Sequence, residues 1–191
     1  MRFNFPLFLT WCRIVAIPLF VAVLYVPEDW IGEKTRNVIS MWIFIGAAVT
    51  DWLDGYLARR WNQTTSFGAF LDPVADKLMV AAALIVLAEL GRVYGLVALI
   101  IIGREITVSA LREWMAQIGR SKSVAVNILG KVKTVTQLFA IPFLLYNGVL
   151  FGLFHTGPVG RVLIWIAAAV TLFSMVVYLK AAWDARGAAN P

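Results

Sequence analysis

The chain alternates long apolar stretches with short polar ones, and this pattern continues along almost its whole length. An α-helix needs about 20 mostly apolar residues to cross a bilayer core about 30 Å thick. Stretches of suitable length and character occur at residues 7–26, 37–59, 70–90, 93–116, 125–149 and 159–182. The pattern therefore predicts an all-α polytopic membrane protein with six transmembrane helices, in which residues 1–191 form a single membrane domain.

Composition supports a membrane protein. Hydrophobic residues make up 61% of the 191 residues, charged residues make up 15%, and the mean hydropathy is +0.80. Soluble domains are about half apolar and a quarter charged, so an ordinary soluble enzyme and a disordered chain are both excluded. A single cysteine, Cys12, excludes a disulfide framework and a cysteine-rich zinc site.

The distribution of basic residues predicts the orientation. With six spans, both termini lie on the same side of the membrane. If that side is the cytoplasm, 13 of the 17 basic residues lie toward it, and the other four are Lys34, Arg36, Arg92 and Arg161. Because cytoplasmic loops carry an excess of Lys and Arg, we expect cytoplasmic termini. The net charge of +6 is then explained by such loops and by anionic lipid headgroups rather than by nucleic acid.

Two carboxylates lie near the end of the second predicted span. Asp51, Asp54, Gly55 and Ala58 have the spacing i, i+3, i+4 and i+7, which places them on one helix face. An ionisable residue inside a span costs about 2.5–3.5 kcal/mol on insertion scales, so it is a functional candidate by default. The two small residues beside the carboxylates would let a flat or charged ligand approach the backbone.

The third predicted span begins with a matching stripe. Gly68, Asp72 and Asp76 follow one another at intervals of four residues, which again places them on one face. Two neighbouring helices thus carry two carboxylates each, near the same membrane boundary. We expect these four side chains to face one another.

Four facing carboxylates would repel one another unless cations neutralise them. Oxygen-only ligands favour Mg²⁺, Ca²⁺ or Mn²⁺, and a pair of such ions suits displacement at phosphorus. His155 lies far along the chain, so a carboxylate must act as the base if the nucleophile is an alcohol. The alternative interpretation is that these carboxylates form boundary salt bridges with Arg59, Arg60 and Lys77.

These residues belong to a longer pattern that resembles a known family. The pattern reads Asp51-x2-Asp54-Gly55-x2-Ala58-Arg59-x8-Gly68-x3-Asp72-x3-Asp76. At all eight defined positions and spacings it resembles the signature of the CDP-alcohol phosphatidyltransferases. Further stretches resemble a bacterial branch that uses sn-glycerol 3-phosphate as its acceptor. They are Asn4-Phe5-Pro6, Leu9-Thr10-x2-Arg13, Gly103-Arg104-Glu105-Ile106, Ser109-x-Leu111-Arg112-Glu113 and Gly130-Lys131-x-Lys133-Thr134-x2-Gln137.

The resemblance implies an activity and a cellular setting. The phosphatidyl group of CDP-diacylglycerol would pass to sn-glycerol 3-phosphate, giving phosphatidylglycerol phosphate and CMP. This is the committed step toward phosphatidylglycerol and cardiolipin. The family resemblance also implies a six-span homodimer in the bacterial inner (cytoplasmic) membrane, with a polar active-site cavity open to the cytoplasm.

The resemblance also implies roles for individual residues. Two divalent ions, Mg²⁺ or Mn²⁺, would be held by Asp51, Asp54, Asp72 and Asp76, and Asp76 would be the base for the attacking hydroxyl. The CDP-binding residues implied are Thr10, Asp51, Gly55, Ala58, Arg59 and Gly68. Arg13, inside the first span, either faces the cavity with Thr10 or pairs with an aspartate.

The phosphate of the acceptor needs its own cations. Candidates for it are Arg104, Arg112, Lys131 and Lys133. The planar guanidinium of arginine suits phosphate well. The two lysines point in different directions on a helix, and Lys131 is slightly favoured because it shares a face with Thr134. The alternatives are that these cations reach lipid headgroups, or that Arg104 pairs with Glu105 or Glu113.

Two rival functions stay open at this point. One is the same chemistry with another acceptor, such as serine or an inositol phosphate. In that case, neutralising Arg104, Arg112 and Lys131 would have little effect on the KM for the acceptor. The other is a cation transporter whose aspartates bind ions in transit. A transporter would leave the small residues Gly55, Ala58 and Gly68 unexplained.

Overall fold

The computed structural model describes residues 5–61, 65–117 and 128–187, and for Arg59 and residues 128–131, 181, 182 and 184–187 it describes the backbone alone. Within these ranges the chain forms six helices and one short hairpin. In chain order they are α1 Phe5–Tyr25, α2 Glu33–Arg60, α3 Ser66–Glu89, α4 Gly95–Gln117, α5 Ile128–Tyr146, β1 Val149–Leu150, β2 Phe154–His155 and α6 Thr156–Gly187. The predicted all-α class is confirmed.

Each of the six predicted stretches is helical, but three helices in the described residues are long and apolar enough to qualify as membrane spans. These are Phe5–Tyr25, Glu33–Ala58 and Thr156–Lys180. Every 18-residue window of α3 contains Asp72, Asp76 and Lys77, and α4 carries Arg104, Glu105 and Arg112. The charged residues predicted to form the site thus lower the apolar character of the helices that carry them.

Most helix ends differ from the predicted ones by a few residues, and two of these differences have clear local reasons. α3 begins at Ser66 rather than residue 70, because Thr65 caps the helix by accepting a hydrogen bond from the Gly68 N–H. α5 ends at Tyr146 rather than residue 149, and the β1–β2 hairpin separates it from α6. The hairpin was not predicted, because strands of two residues are too short to show an alternating pattern.

All six helices contribute to one apolar core. Its buried side chains include Phe20, Phe44, Leu84, Ile101, Ile141 and Ile164, one from each helix in turn. Several buried polar side chains lie nearer the first turns of α1 and the last turns of α2. Among these are Thr10, Arg13 and Asp54. The apolar core therefore holds the bundle together and leaves one end of it for polar chemistry.

Candidate active site

Arg13 joins the two carboxylates of α2. Its Nη1 donates to Oδ1 of Asp51 at 2.6 Å, and its Nη2 donates to Oδ2 of Asp54. The side chains of Arg13 and Asp54 are 1% and 2% exposed, whereas that of Asp51 is 42% exposed. Of the two roles considered for Arg13, the structure shows the pairing with aspartate. Asp51 keeps an open face toward the surroundings.

Thr10 joins α1 to α3 in the same region. Its hydroxyl donates to Oδ1 of Asp72 at 2.5 Å and lies 3.2 Å from the carbonyl oxygen of Pro6. Thr10 and Arg13 lie three residues apart on α1, so one helix face holds carboxylates of both α2 and α3. The first helix thus positions three of the four aspartates of the signature.

The four aspartates lie close enough to act on one another electrostatically. Asp54 is repelled by Asp72 and Asp51, and Asp76 is repelled by Asp51. Among the side chains that the structure describes, neither Asp72 nor Asp76 forms an ion pair. Contacts with α1 thus bring Asp51, Asp54 and Asp72 to one region of the bundle, and the expectation that all four aspartates face one another stays a prediction.

A small polar cavity of about 90 Å³ lies beside Asp76. Its polar lining consists of Asp76, Lys77, Glu105, Lys133, Thr134 and Gln137. Lys133 is buried and its Nζ contacts Oε1 of Glu105. The buried Nε2 of Gln137 has no hydrogen-bond partner among the described residues. The cavity therefore offers a free donor next to a carboxylate.

Glu105 and Gln137 were not singled out from the sequence as site residues. A signal for Gln137 was present, because it follows Lys133 by four residues and so shares its helix face. Glu105 was considered from the sequence as a partner of Arg104, but its contact with Lys133 was not predicted, since the two residues lie 28 positions apart on different helices. Such a contact depends on how α4 and α5 pack.

Arg104 and Arg112 both lie close to the aromatic ring of Tyr178. Their guanidinium carbons are 5.6 and 5.3 Å from the centroid of Tyr178, and Arg112 Nη2 donates to the Tyr178 hydroxyl at 3.0 Å. Arg104 is buried, with Nη1 3.1 Å from Glu105 Oε1 and Nη2 3.0 Å from Ser174 Oγ. Its Nε has no partner among the described residues.

These contacts link the aspartates to the arginines. Asp76 and Lys133 line the same cavity, Lys133 contacts Glu105, and Glu105 pairs with Arg104. The pairing of Arg104 with Glu105, weighed as an alternative from the sequence, is therefore present. It leaves Arg104 beside the polar cavity rather than removing it from the site.

The remaining predicted residues have less defined surroundings. Gly55, Ala58 and Gly68 are half-buried. A Cβ atom at Gly68 would lie 3.0 Å from Thr65 Oγ1, so a larger residue there would press on the oxygen that caps the helix. The side chains of Arg59 and Lys131 lie outside the described part of the structure.

An apolar groove of about 520 Å³ lies between α2 and α5. Its walls include Val49, Trp52 and Phe139. Ala48 and Leu138 line both this groove and the polar cavity. The groove and the cavity therefore adjoin, and an amphipathic molecule could occupy both.

The donor atoms present suit a hard divalent cation, since the aspartates offer carboxylate oxygens under mutual repulsion. Their arrangement is not a closed cage. Among the described residues, no three acidic, histidine or cysteine side chains are grouped closely enough to hold a metal ion. Arg13 is bonded to oxygens of Asp51 and Asp54 that such an ion would need.

Comparison with known proteins connects this arrangement to a family. Residues 3–173 match the family model described as CDP-alcohol phosphatidyltransferase. The chain is 48% identical over 184 residues to proteins of Salmonella typhimurium, Shigella flexneri and Escherichia coli, covering 95% of this chain and 96% of each relative. Each of these relatives is named CDP-diacylglycerol–glycerol-3-phosphate 3-phosphatidyltransferase. This chain therefore belongs to the CDP-alcohol phosphatidyltransferase family.

Proposed function

We propose that this protein transfers the phosphatidyl group of CDP-diacylglycerol to sn-glycerol 3-phosphate, releasing CMP. The observation that carries the proposal is the polar cavity at which Asp76 and Lys133 meet, joined through Glu105 to Arg104. A base for a hydroxyl group and cations for a phosphate group thus lie within one connected site. The names of the relatives supply the identity of the two substrates.

CDP-diacylglycerol has a polar head and apolar acyl chains, and the site has a polar part and an apolar part to match. We place its polar head near the aspartates and Gly55, Ala58 and Gly68, with Arg59 and Thr10 as further contacts. The acyl chains would lie in the apolar groove between α2 and α5, which adjoins the polar cavity at Ala48 and Leu138. A lipid could then react without leaving the bilayer.

Asp51, Asp54, Asp72 and Asp76 are the residues that would hold two divalent ions, Mg²⁺ or Mn²⁺. When bound, such ions polarise a diphosphate and neutralise its charge. In the structure Arg13 and Thr10 hold three of these carboxylates in place. We expect Arg13 to release at least one carboxylate oxygen when an ion binds.

The chemical step requires one proton transfer and one displacement. The acceptor's hydroxyl oxygen forms a P–O bond to the phosphatidyl phosphorus as the P–O bond to CMP breaks, and the hydroxyl proton passes to Asp76. A single displacement predicts inversion at phosphorus. Net retention would require a covalent enzyme intermediate instead.

Arg104, Arg112 and Lys133 are the proposed partners of the acceptor phosphate, with Lys131 as a fourth candidate. The free Nε of Arg104 and free Nε2 of Gln137 add donors without partners among the described residues. Guanidinium groups bind phosphate through paired, charge-assisted hydrogen bonds. The same cations would select glycerol 3-phosphate over an acceptor without a phosphate.

We place the protein in the bacterial inner membrane, with its termini and site facing the cytoplasm. We further propose that it spans the membrane six times, acts as a homodimer, and performs the committed step toward phosphatidylglycerol and cardiolipin. These assignments rest on the family and on the distribution of basic residues.

The test is an acceptor panel with purified protein. CDP-diacylglycerol is supplied with glycerol 3-phosphate, glycerol, serine or inositol phosphate, with and without a chelator, and CMP release is measured. We expect release with glycerol 3-phosphate that the chelator abolishes. Faster release with serine or inositol phosphate would assign another acceptor, and cation flux in liposomes without CMP release would assign a transporter.

A further inference from the structure

A second polar cavity lies at the end of the bundle opposite the aspartates. It has a volume of about 460 Å³ and lies between the end of α1, the start of α2, the α3–α4 connection and the start of α6. Its charged lining residues are Glu28, Glu33, Arg36, Arg92 and Arg161. Three guanidinium groups against two carboxylates leave it with a formal charge of +1.

Two of these arginines are held in fixed positions. Arg92 donates to the carbonyl oxygens of Leu144 and Leu145 at 3.2 and 2.9 Å, to Asn37 Oδ1 at 2.9 Å and to Glu33 Oε1 at 3.1 Å. Such a network fixes a guanidinium before any ligand arrives.

Arg36 is anchored in a similar way. It donates to the carbonyl oxygen of Val26 at 2.8 Å and pairs with Glu28 at 2.8 Å. Burial lowers the pKa of Arg92, and repulsion by Arg36 adds to that shift while Glu33 opposes it. The chain therefore holds two like charges close together and compensates them in part.

Arg161 differs from the other two arginines. It is exposed, lines the same cavity, and forms no hydrogen bond or ion pair with the described residues. Its guanidinium is therefore available to a ligand that Arg36 and Arg92 already attract. Asn37 and Asn147 line the cavity as well and add amide groups for hydrogen bonding.

We propose that this cavity binds a phosphate group in a molecule or headgroup of net negative charge, with Arg161 closing on it from α6. The charge of +1 favours such an anion, and arginine is the side chain best suited to phosphate oxygens. The cavity lies where apolar helices end and polar connections begin, which is the depth of lipid headgroups. A lipid headgroup and free phosphate share this chemistry. The site is separate from the transfer reaction and does not depend on it.

The test uses full-length protein in nanodiscs of dioleoylphosphatidylcholine with dioleoylphosphatidylglycerol. Native mass spectrometry after partial delipidation measures which lipid is retained. We expect preferential retention of phosphatidylglycerol, reduced roughly tenfold in Arg161→Gln and restored in part in Arg161→Lys, because one charge-assisted hydrogen-bonding partner is lost and regained. Since Arg161 forms no hydrogen bond or ion pair with any residue that the structure describes, these variants should keep the melting temperature of the parent.

Lys34→Gln is the matched control, because Lys34 is an exposed cation at the same end that does not line the cavity. Stabilisation by inorganic phosphate, lost in Arg161→Gln, would identify free phosphate as the source of the ligand chemistry, whereas retention of phosphatidylglycerol alone would identify the headgroup. The proposal is overturned if neither probe binds preferentially, or if Lys34→Gln weakens binding as much as Arg161→Gln.

Discussion

At the scale of single residues, Arg13 and Thr10 organise the aspartates. Arg13 is buried against Asp54, and a buried charge that loses its partner costs about 3–5 kcal/mol. The sequence predicted which aspartates share a helix face, because helical spacing fixes the face on which a residue lies. It left the partner of Arg13 open, since that contact depends on how α1 packs against α2.

Arg104 provides the residue-scale prediction. Arg104→Gln removes a guanidinium proposed to bind the acceptor phosphate, and charged hydrogen bonds contribute about 1.5–3 kcal/mol. We expect the KM for glycerol 3-phosphate to rise by about tenfold to a hundredfold, with a smaller change in the KM for CDP-diacylglycerol. Steady-state kinetics of CMP release measures both values.

Lys180→Gln is the control for that experiment. Lys180 is an exposed cation of α6, the helix that also holds Ser174 beside Arg104. The Lys180→Gln variant should have the same KM for glycerol 3-phosphate and for CDP-diacylglycerol as the parent protein. Equal increases in the two variants would show a general effect of surface charge, and no increase in Arg104→Gln would remove Arg104 from the acceptor site.

At the scale of elements, the apolar pattern predicted all six helices and missed the hairpin before α6. The aspartates of α3 fell where the spacing placed them, whereas the polar cavity beside Asp76 draws Glu105 from α4 and Gln137 from α5. Spacing within one helix can be read from the sequence. The rotation of one helix against another cannot, because it is set by packing of the shared core.

The start of α3 gives a test of what Gly68 does. Its absent Cβ leaves room for Thr65 Oγ1, so Gly68→Ala should weaken the helix cap and cost about 1 kcal/mol. In a Thr65→Ala background no hydroxyl remains, and the same change should stabilise α3 slightly, because alanine has a higher helix propensity than glycine. Thermal unfolding in detergent measures both. An equal loss in the two backgrounds would contradict the capping role.

The groove between α2 and α5 gives a second test. Ala48→Phe fills the junction between groove and cavity, and displacing about two methylenes at about 0.8 kcal/mol each lowers affinity roughly tenfold. We expect a higher KM for long-chain CDP-diacylglycerol and a smaller change for a short-chain donor. Val162→Phe, on an exposed face of α6, is the control. Equal effects on both donors would place the acyl chains elsewhere.

At the scale of the whole molecule, the two ends of the bundle differ in charge. One end gathers aspartates with Arg13, and the other gathers Arg36, Arg92 and Arg161 around a cavity. Arg13 and Leu24 lie eleven positions apart on α1, which separates the two ends by about 16 Å, with the apolar core between. The protein therefore has a cluster of acidic residues at one end although its net charge is +6.

The six-span topology can be tested with single cysteines in a Cys12→Ala background. We expect Lys34→Cys and Tyr94→Cys to be labelled from the outside and Gln117→Cys from the cytoplasm. Tyr94 follows α3 and is exposed, so it reports whether α3 crosses the membrane despite its charged residues. If Tyr94→Cys is labelled together with Gln117→Cys, α3 and α4 do not span.

The central claim is that the site containing Asp51, Asp54, Asp72 and Asp76 transfers a phosphatidyl group to glycerol 3-phosphate. The most direct measurement is the yield of CMP and phosphatidylglycerol phosphate from purified parent protein, Asp76→Asn and Asp29→Asn, an exposed aspartate at the opposite end. We predict equal yields of the two products, a rate lower by about 10²–10⁴ in Asp76→Asn because the base is lost, and no change in Asp29→Asn. CMP release without glycerol 3-phosphate, or turnover in Asp76→Asn at the rate of the parent protein, would contradict the account.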